Sequence, residues 1–433
     1  MLQQRFSIKP ILVLFIAAFT IASCAASRST VRDSAPVARL WIVANPAALL
    51  ANVIPAQATQ PAPPAPDAAT LALWHNPPTR WMSLERTLVA REWVTPTRAA
   101  RCYALLAAGI NDALLVADAA RAGGIAVSDD AVIAVVSMHV MGYSHPLLAE
   151  LAQQEAATAR WMGVWNNTAT LQAVEAGQQI GQQVAQQIIA WMQGDGADAF
   201  SAFTDPTPAP GVWQRTPPHL WSALDPGWGA VRPIGLDSVS SLIAEPPPAW
   251  DSTAFRQDRA AFATTQQAIT EAERTLVKKW AAGMGSMTPA GMWLQIAGEL
   301  IEQHALTTRQ SAVLYAALAV AMHDAFIACW SSKFLYLVER PITWMHETNV
   351  TWKTVIDTPP FPSYPSGHAT VSGTASTVLA AYFPDDSAQL RAWAVEAAHS
   401  RVVGGIHWPL DSRAGLAQGQ RIGALVVGQP VSP

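Results

Sequence analysis

An all-α protein made of two packed helical bundles is what this sequence predicts, and three observations predict it. Apolar residues recur at helical spacing through 97–122, 168–194, 268–282, 308–330, 367–383 and 386–402, while strand-like alternation is scarce. Between about 195 and 250 that pattern fails, and "TDPTPAPGVWQRTPPHLWSALDPGWGAVRP" takes over. "YALLAAGINDALL" from Tyr103 aligns without gaps with "YAALAVAMHDAFI" from Tyr315 at an offset of 212. Two similar bundles would explain that echo, although Ala/Leu-rich helices also resemble one another by composition alone.

Taken in order, the chain opens on "MLQQRFSIKPILVLFIAAFTIASC", in which Arg5 and Lys9 precede an apolar stretch closing on small residues. This is the form of an export signal, and Ile21-Ala22-Ser23-Cys24 resembles a bacterial lipobox, so residues 1–24 are expected to direct export and Cys24 to carry lipid at the cell envelope. Ordinary secretory cleavage and an uncleaved anchor are the alternatives. From 25 to 70 the Ala/Pro-rich text, with "QPAPPAPDAAT" near its end, predicts an extended linker. The folded part then runs from about Leu71 to 433: a first bundle over about 85–195, an irregular segment over 195–250 and a catalytic bundle over 251–430.

In the irregular segment the prolines prevent helix while the tryptophans offer large surfaces to bury, which suits either a pocket wall or padding. Asp112 and Asp324 each sit in an apolar helix and so require partners. Cys102 and Cys329 read as buried free thiols; a disulfide is compatible with export but is not established by sequence. No segment after the leader holds about 18 uninterrupted apolar residues, the best being broken by His323-Asp324. With 433 residues, 51% apolar content, 13% charge and a net charge of −4, the chain can bury a large core and has nothing of a nucleic-acid binder. No self-association motif is legible.

Three short blocks carry the chemistry. "FPSYPSGHATVSG" sets Ser366, Gly367 and His368 at the mouth of a helix, where unpaired N–H groups and positive partial charge favour an oxyanion. "KFLYLVERP" supplies Lys333 and Arg340, near one another after two helical turns, and "SRVVGGIHWPLD" supplies Arg401, His407 and Asp411. Each block alone is weak. In order, K-x6-R-P, P-S-G-H and S-R-x5-H-x3-D fix eleven identities, and at roughly one chance in twenty per position coincidence is negligible.

That ordered triple resembles the type 2 phosphatidic acid phosphatase and vanadium-dependent haloperoxidase superfamily. "PPFPSYPSGHAT", "GMGSMTPAGMWLQIA" and "PGWGAVRP" are similar to its haloperoxidase-like bacterial branch. The resemblance implies that Lys333, Arg340, Ser366, Gly367 and Arg401 hold a tetrahedral oxyanion, that His407 faces its central atom, that Asp411 orients His407 and that His368 is the acid/base. It implies vanadate as cofactor, bonded to His407, with hydrogen peroxide and halide as substrates. The alternative within the superfamily is an acid phosphatase that takes a phosphate monoester through a phosphohistidine at His407, without cofactor. A catalytically silent binding lipoprotein is the alternative outside it. Phe361 is placed by the resemblance on the pocket wall, and His346, where relatives commonly carry a further basic residue, is expected beside it. His323 and His399 fall outside the pattern and are expected to be structural.

Overall fold

The computed structural model describes residues 38–51, 53, 61–199 and 201–428. The leader, with its lipobox and Cys24, lies outside the described residues. Two long helices, Pro96–Ala122 and Thr308–Tyr336, pack against each other at the centre. Each begins one residue after a threonine: Thr95 precedes a proline at the first helical position, and Thr307 forms a capping box with Gln310. Both are long and apolar enough to cross a membrane, but 83% and 94% of their most apolar windows are buried inside the protein, so they serve as its core.

Around the first central helix stand Pro77–Arg91, Asp129–Ser144 and Leu171–Gln193, and around the second stand Thr288–Gln303, Gly367–Tyr382 and Pro409–Val426, with Ser387–Val403 packed on the last two. Among the described residues there is no strand, only an isolated antiparallel bridge between Val212 and Val338.

Local geometry repeats between the halves. Trp93 and Ala305, 212 positions apart, both take left-handed backbone (φ 55° and 50°) at the turn into a central helix. Asp112 accepts the amides of Trp41, Ile42 and Val43, and Asp324 accepts those of Ile234, Gly235 and Leu236. These are the partners the two buried carboxylates require. In each half a helix with spaced glycines lies tightly on its neighbour: a Cβ on Gly181 would stand 2.7 Å from Val132 O, and one on Gly419 1.9 Å from Thr370 O. Only glycine permits such contact.

Two expectations need correction. Residues 38–51 fall in the expected linker, yet Trp41–Val43 are fastened to Asp112 and Val43 is buried, because a carboxylate inside an apolar helix draws in the nearest run of amides. Lys333 and Arg340 do not share a helix either: Leu337 turns left-handed (φ 48°) and ends it, and Arg340 follows in extended backbone as the N-cap of Pro341–Thr348. Both cysteines are free and buried. In the irregular segment, Trp213 N donates to Leu337 O at 2.6 Å and Glu339 N to Gly211 O at 2.9 Å, which fastens it to the stretch between the two cations.

Candidate active site

The second half gathers most of the singled-out side chains at one cavity of about 270 Å³. Ser366 caps the helix Gly367–Tyr382, its amide donating to Asp411 O (3.0 Å) and its hydroxyl accepting from Ala369 N (3.4 Å). Gly367, His368, Arg401 and His407 line the cavity. A Cβ on Gly367 would meet Trp330 at an ordinary 3.4 Å, so glycine leaves room there and is not demanded by packing.

The orientation of His407 is fixed from behind. Its Nδ1 lies 2.8 Å from Asp411 Oδ2, the same oxygen that accepts from Ser363 Oγ (2.5 Å) and Trp408 N (3.0 Å). Nδ1 therefore carries the proton and Nε2 the lone pair, which accepts from Arg340 Nη1 at 3.1 Å. Ser363 was missed at the sequence level. Its signal was a further serine in the quoted stretch, three residues before Ser366.

Arg340 donates from Nε to Phe361 O (2.8 Å) and from Nη1 to Ile406 O (2.5 Å), while its buried Nη2 has no partner. Arg401 Nε donates to Ser400 Oγ at 3.0 Å, but its terminal nitrogens are held loosely, Nη1 and Nη2 reaching Ala281 O and Val277 O at 3.5 and 3.3 Å. His368 Nε2 is buried without a partner, as is Asp411 Oδ1. Such orphaned polar atoms in a native interior mark a place for a ligand.

Lys333 differs from the expectation. Its ammonium donates to Pro362 O (2.8 Å), Ser363 O (2.9 Å) and Pro365 O (2.5 Å), so all three protons hold the loop and only its charge remains for an anion. Phe361 lines the cavity, with Lys333 Nζ 5.0 Å and Arg340 Cζ 4.9 Å from its ring centre. His346 is away from the cavity: its Nε2 meets Trp352 O at 2.8 Å, because the short helix that carries it turns outward after Arg340. Trp221 and Leu224 of the irregular segment join the wall, together with Trp93 from the first half.

Burial sets the electrostatics. It pulls His368 and His407 well below the usual imidazole value, helped at His368 by Arg401 and at His407 by Arg340 and Lys333. Burial also lowers Lys333, Arg340 and Arg401, and it raises Asp411 against the pull of Ser363 and Lys333. The result is a pair of neutral imidazoles among crowded cations, an arrangement that an entering anion relieves.

Residues 312–431 match the model of the PAP2 superfamily, a span that contains all three motif blocks. No curated protein matches the chain. Among solved structures, the chain is similar to one described as the first bacterial vanadium-dependent iodoperoxidase, with TM-score 0.71 and 24% identity over 82% of this chain and 96% of that one. It is also similar to a holo-type bacterial vanadium-dependent chloroperoxidase, with TM-score 0.58 and 13% identity over 86% and 94% of the two chains. Residues 312–431 are thus similar to the PAP2 superfamily, and the all-α fold resembles that of bacterial vanadium haloperoxidases over 82–86% of the chain.

Proposed function

We propose that the protein is a vanadium-dependent haloperoxidase-like enzyme, oxidising halide with hydrogen peroxide at a vanadate held by His407. One observation carries the reading: partnerless Arg340 Nη2 and His368 Nε2, loosely held Arg401 and the lone pair of His407 Nε2 gather around one buried place. A set of guanidinium donors with two neutral imidazoles suits a tetrahedral oxyanion and not a bare metal cation.

Bound vanadate would supply a Lewis-acid centre that activates peroxide towards halide. Arg340 and Arg401 donate charge-assisted hydrogen bonds to its oxygens, with the helix start at Gly367 behind them. Asp411 keeps the proton on His407 Nδ1 and so keeps Nε2 free to bond. His368, whose neutral form is favoured by burial and by Arg401, would take the proton of the incoming peroxide at Nε2. Phe361, Trp330 and Trp221 give the cavity apolar walls that limit water.

The same cradle suits phosphate-ester hydrolysis through His407. Support for the peroxidase reading comes from the likeness over 96% of an iodoperoxidase chain and from the apolar walls. A paired assay tests it: added vanadate is expected to switch on peroxide-dependent halide oxidation. Hydrolysis of an aryl phosphate that vanadate suppresses, with no peroxide chemistry, would replace the reading by the phosphatase. Inactivity in both assays without vanadate binding would favour the silent lipoprotein. Export and lipid attachment at Cys24 belong to the same proposal, and an intact mass carrying acyl chains on that residue is the expected result.

A further inference from the structure

Away from that cavity, the first half contains a second cluster that the proposed chemistry does not use. Glu85 lies on the helix Pro77–Arg91, Cys102 on the central helix Pro96–Ala122, and His145 just past the end of Asp129–Ser144. All three are buried, Glu85 at 1% exposure, and one ligand atom from each lies within 4.8 Å of the other two. Among the described residues no other group of three such side chains comes so close.

The imidazole is already oriented as a metal ligand. His145 Nδ1 lies 2.8 Å from Glu92 Oε2, so a carboxylate holds the outer nitrogen and aims Nε2 at Glu85 Oε1, 2.9 Å away, and at the thiol. A proton shared between Nε2 and Glu85 Oε1 accounts for only part of this. Glu85 Oε2 remains buried without a partner, and the Cys102 thiol is set against the same imidazole.

We propose that Glu85, Cys102 and His145 bind a divalent transition-metal ion, with zinc the best match to one oxygen, one sulfur and one nitrogen donor. Zinc accepts all three donor types in tetrahedral geometry. The charge balance is favourable: the ion replaces the proton on His145 Nε2 and the proton on Cys102 Sγ, two positive charges for two, so the net buried charge is unchanged. Cys102 also borders a cavity of about 450 Å³, which gives the ion a route in and leaves the fourth position to water. The site joins three helices and, through Glu92, the turn that holds Trp93. Trp93 borders both this cavity and that of the oxyanion cradle, so the ion would brace one wall of the cradle without touching it.

The test uses the full chain and its Cys102→Ser variant, each loaded with zinc and then dialysed free of excess. One zinc per wild-type chain and none in the variant is the expected result, with a thiolate-to-cobalt charge-transfer absorption appearing on cobalt substitution of the wild type alone. No retained metal, or equal retention by both proteins, would overturn the proposal. Should the variant lose its helical circular dichroism, zinc-edge X-ray absorption on the wild type decides alone. One sulfur at about 2.3 Å with nitrogen and oxygen neighbours at about 2.0–2.2 Å supports the site, and a shell without sulfur overturns it. The outcome is independent of the halide and phosphate assays.

Discussion

Ser128 in the first half and Ser366 in the second are 238 positions apart and do the same structural work. Each caps a helix, accepting from Ala131 N or Ala369 N at 3.4 Å, and each donates its amide across, to Ala173 O at 2.9 Å or Asp411 O at 3.0 Å. A cation from the central helix closes each mouth: Arg121 reaches Val127 O at 3.0 Å, as Lys333 reaches Pro365 O at 2.5 Å. The frames agree and the contents differ. At the same spacing, His407, Asp411 and Arg401 correspond to Ala169, Ala173 and Gly163, and Gly367 corresponds to Asp129. Asp129 is gripped by Arg121 and by Arg309, whose Nη2 donates to both of its oxygens at 2.9 Å. One half thus supplies its own carboxylate where the other keeps room for a guest. A helix start with a cation is therefore common to both halves, and the place proposed for an anion is the one where the chain withholds its own acid and adds an imidazole.

Six substitutions break or sharpen this contrast. The largest effect is expected from His407→Ala, which should abolish turnover in whichever assay is positive, whereas Ala169→Ser at the matching place should leave it intact. Next, Arg401→Lys should weaken vanadate or phosphate binding by about 10- to 100-fold in calorimetry, since a paired charge-assisted donor is lost. Third, Gly419→Ala should lower unfolding free energy by about 3 kcal/mol and loosen oxyanion binding, because the added methyl displaces the helix carrying Ser366 and His368. Gly181→Ala should destabilise by about 1–2 kcal/mol without changing binding. Least of all, Asp129→Asn should cost about 1 kcal/mol, part of which added phosphate restores by replacing the missing carboxylate between Arg121 and Arg309.

Acid provides a further measurement. His368 and His407 are held neutral in the folded protein, while the unfolded chain takes up protons below about pH 6.5. The unfolded state then binds more protons, so their contribution is whole above that pH and is lost as pH falls. Denaturant midpoints measured from pH 7 downward should show it, less steeply in His368→Gln.

Much of this was legible in sequence, and the gaps have physical causes. Spacing located the two central helices because each is long and cleanly capped. It missed Asp129–Ser144, where nine of sixteen residues are buried and apolar residues fall on every face, and Pro409–Val426, where glycines needed for close approach dilute the apolar signal. The three motif blocks named Gly367, His368, Arg401 and His407, which the structure brings to one cavity. His346 was misplaced and Ser363 overlooked because direction after a helix end, and support from behind, depend on packing that spacing does not encode. The echo between Tyr103 and Tyr315 was visible; that one copy is plugged by Asp129 was not, for it rests on Arg309 arriving from the opposite half.

Lys333 has one more consequence. With its three protons stitched to the carbonyls of residues 362, 363 and 365, the loop ahead of Ser366 is riveted to the molecule's axle, whereas Trp93, Trp221 and Met284 at the rim carry no such fastening. On the proposed function, replacements at the rim would therefore change what the cavity admits while the groups beneath stay in alignment.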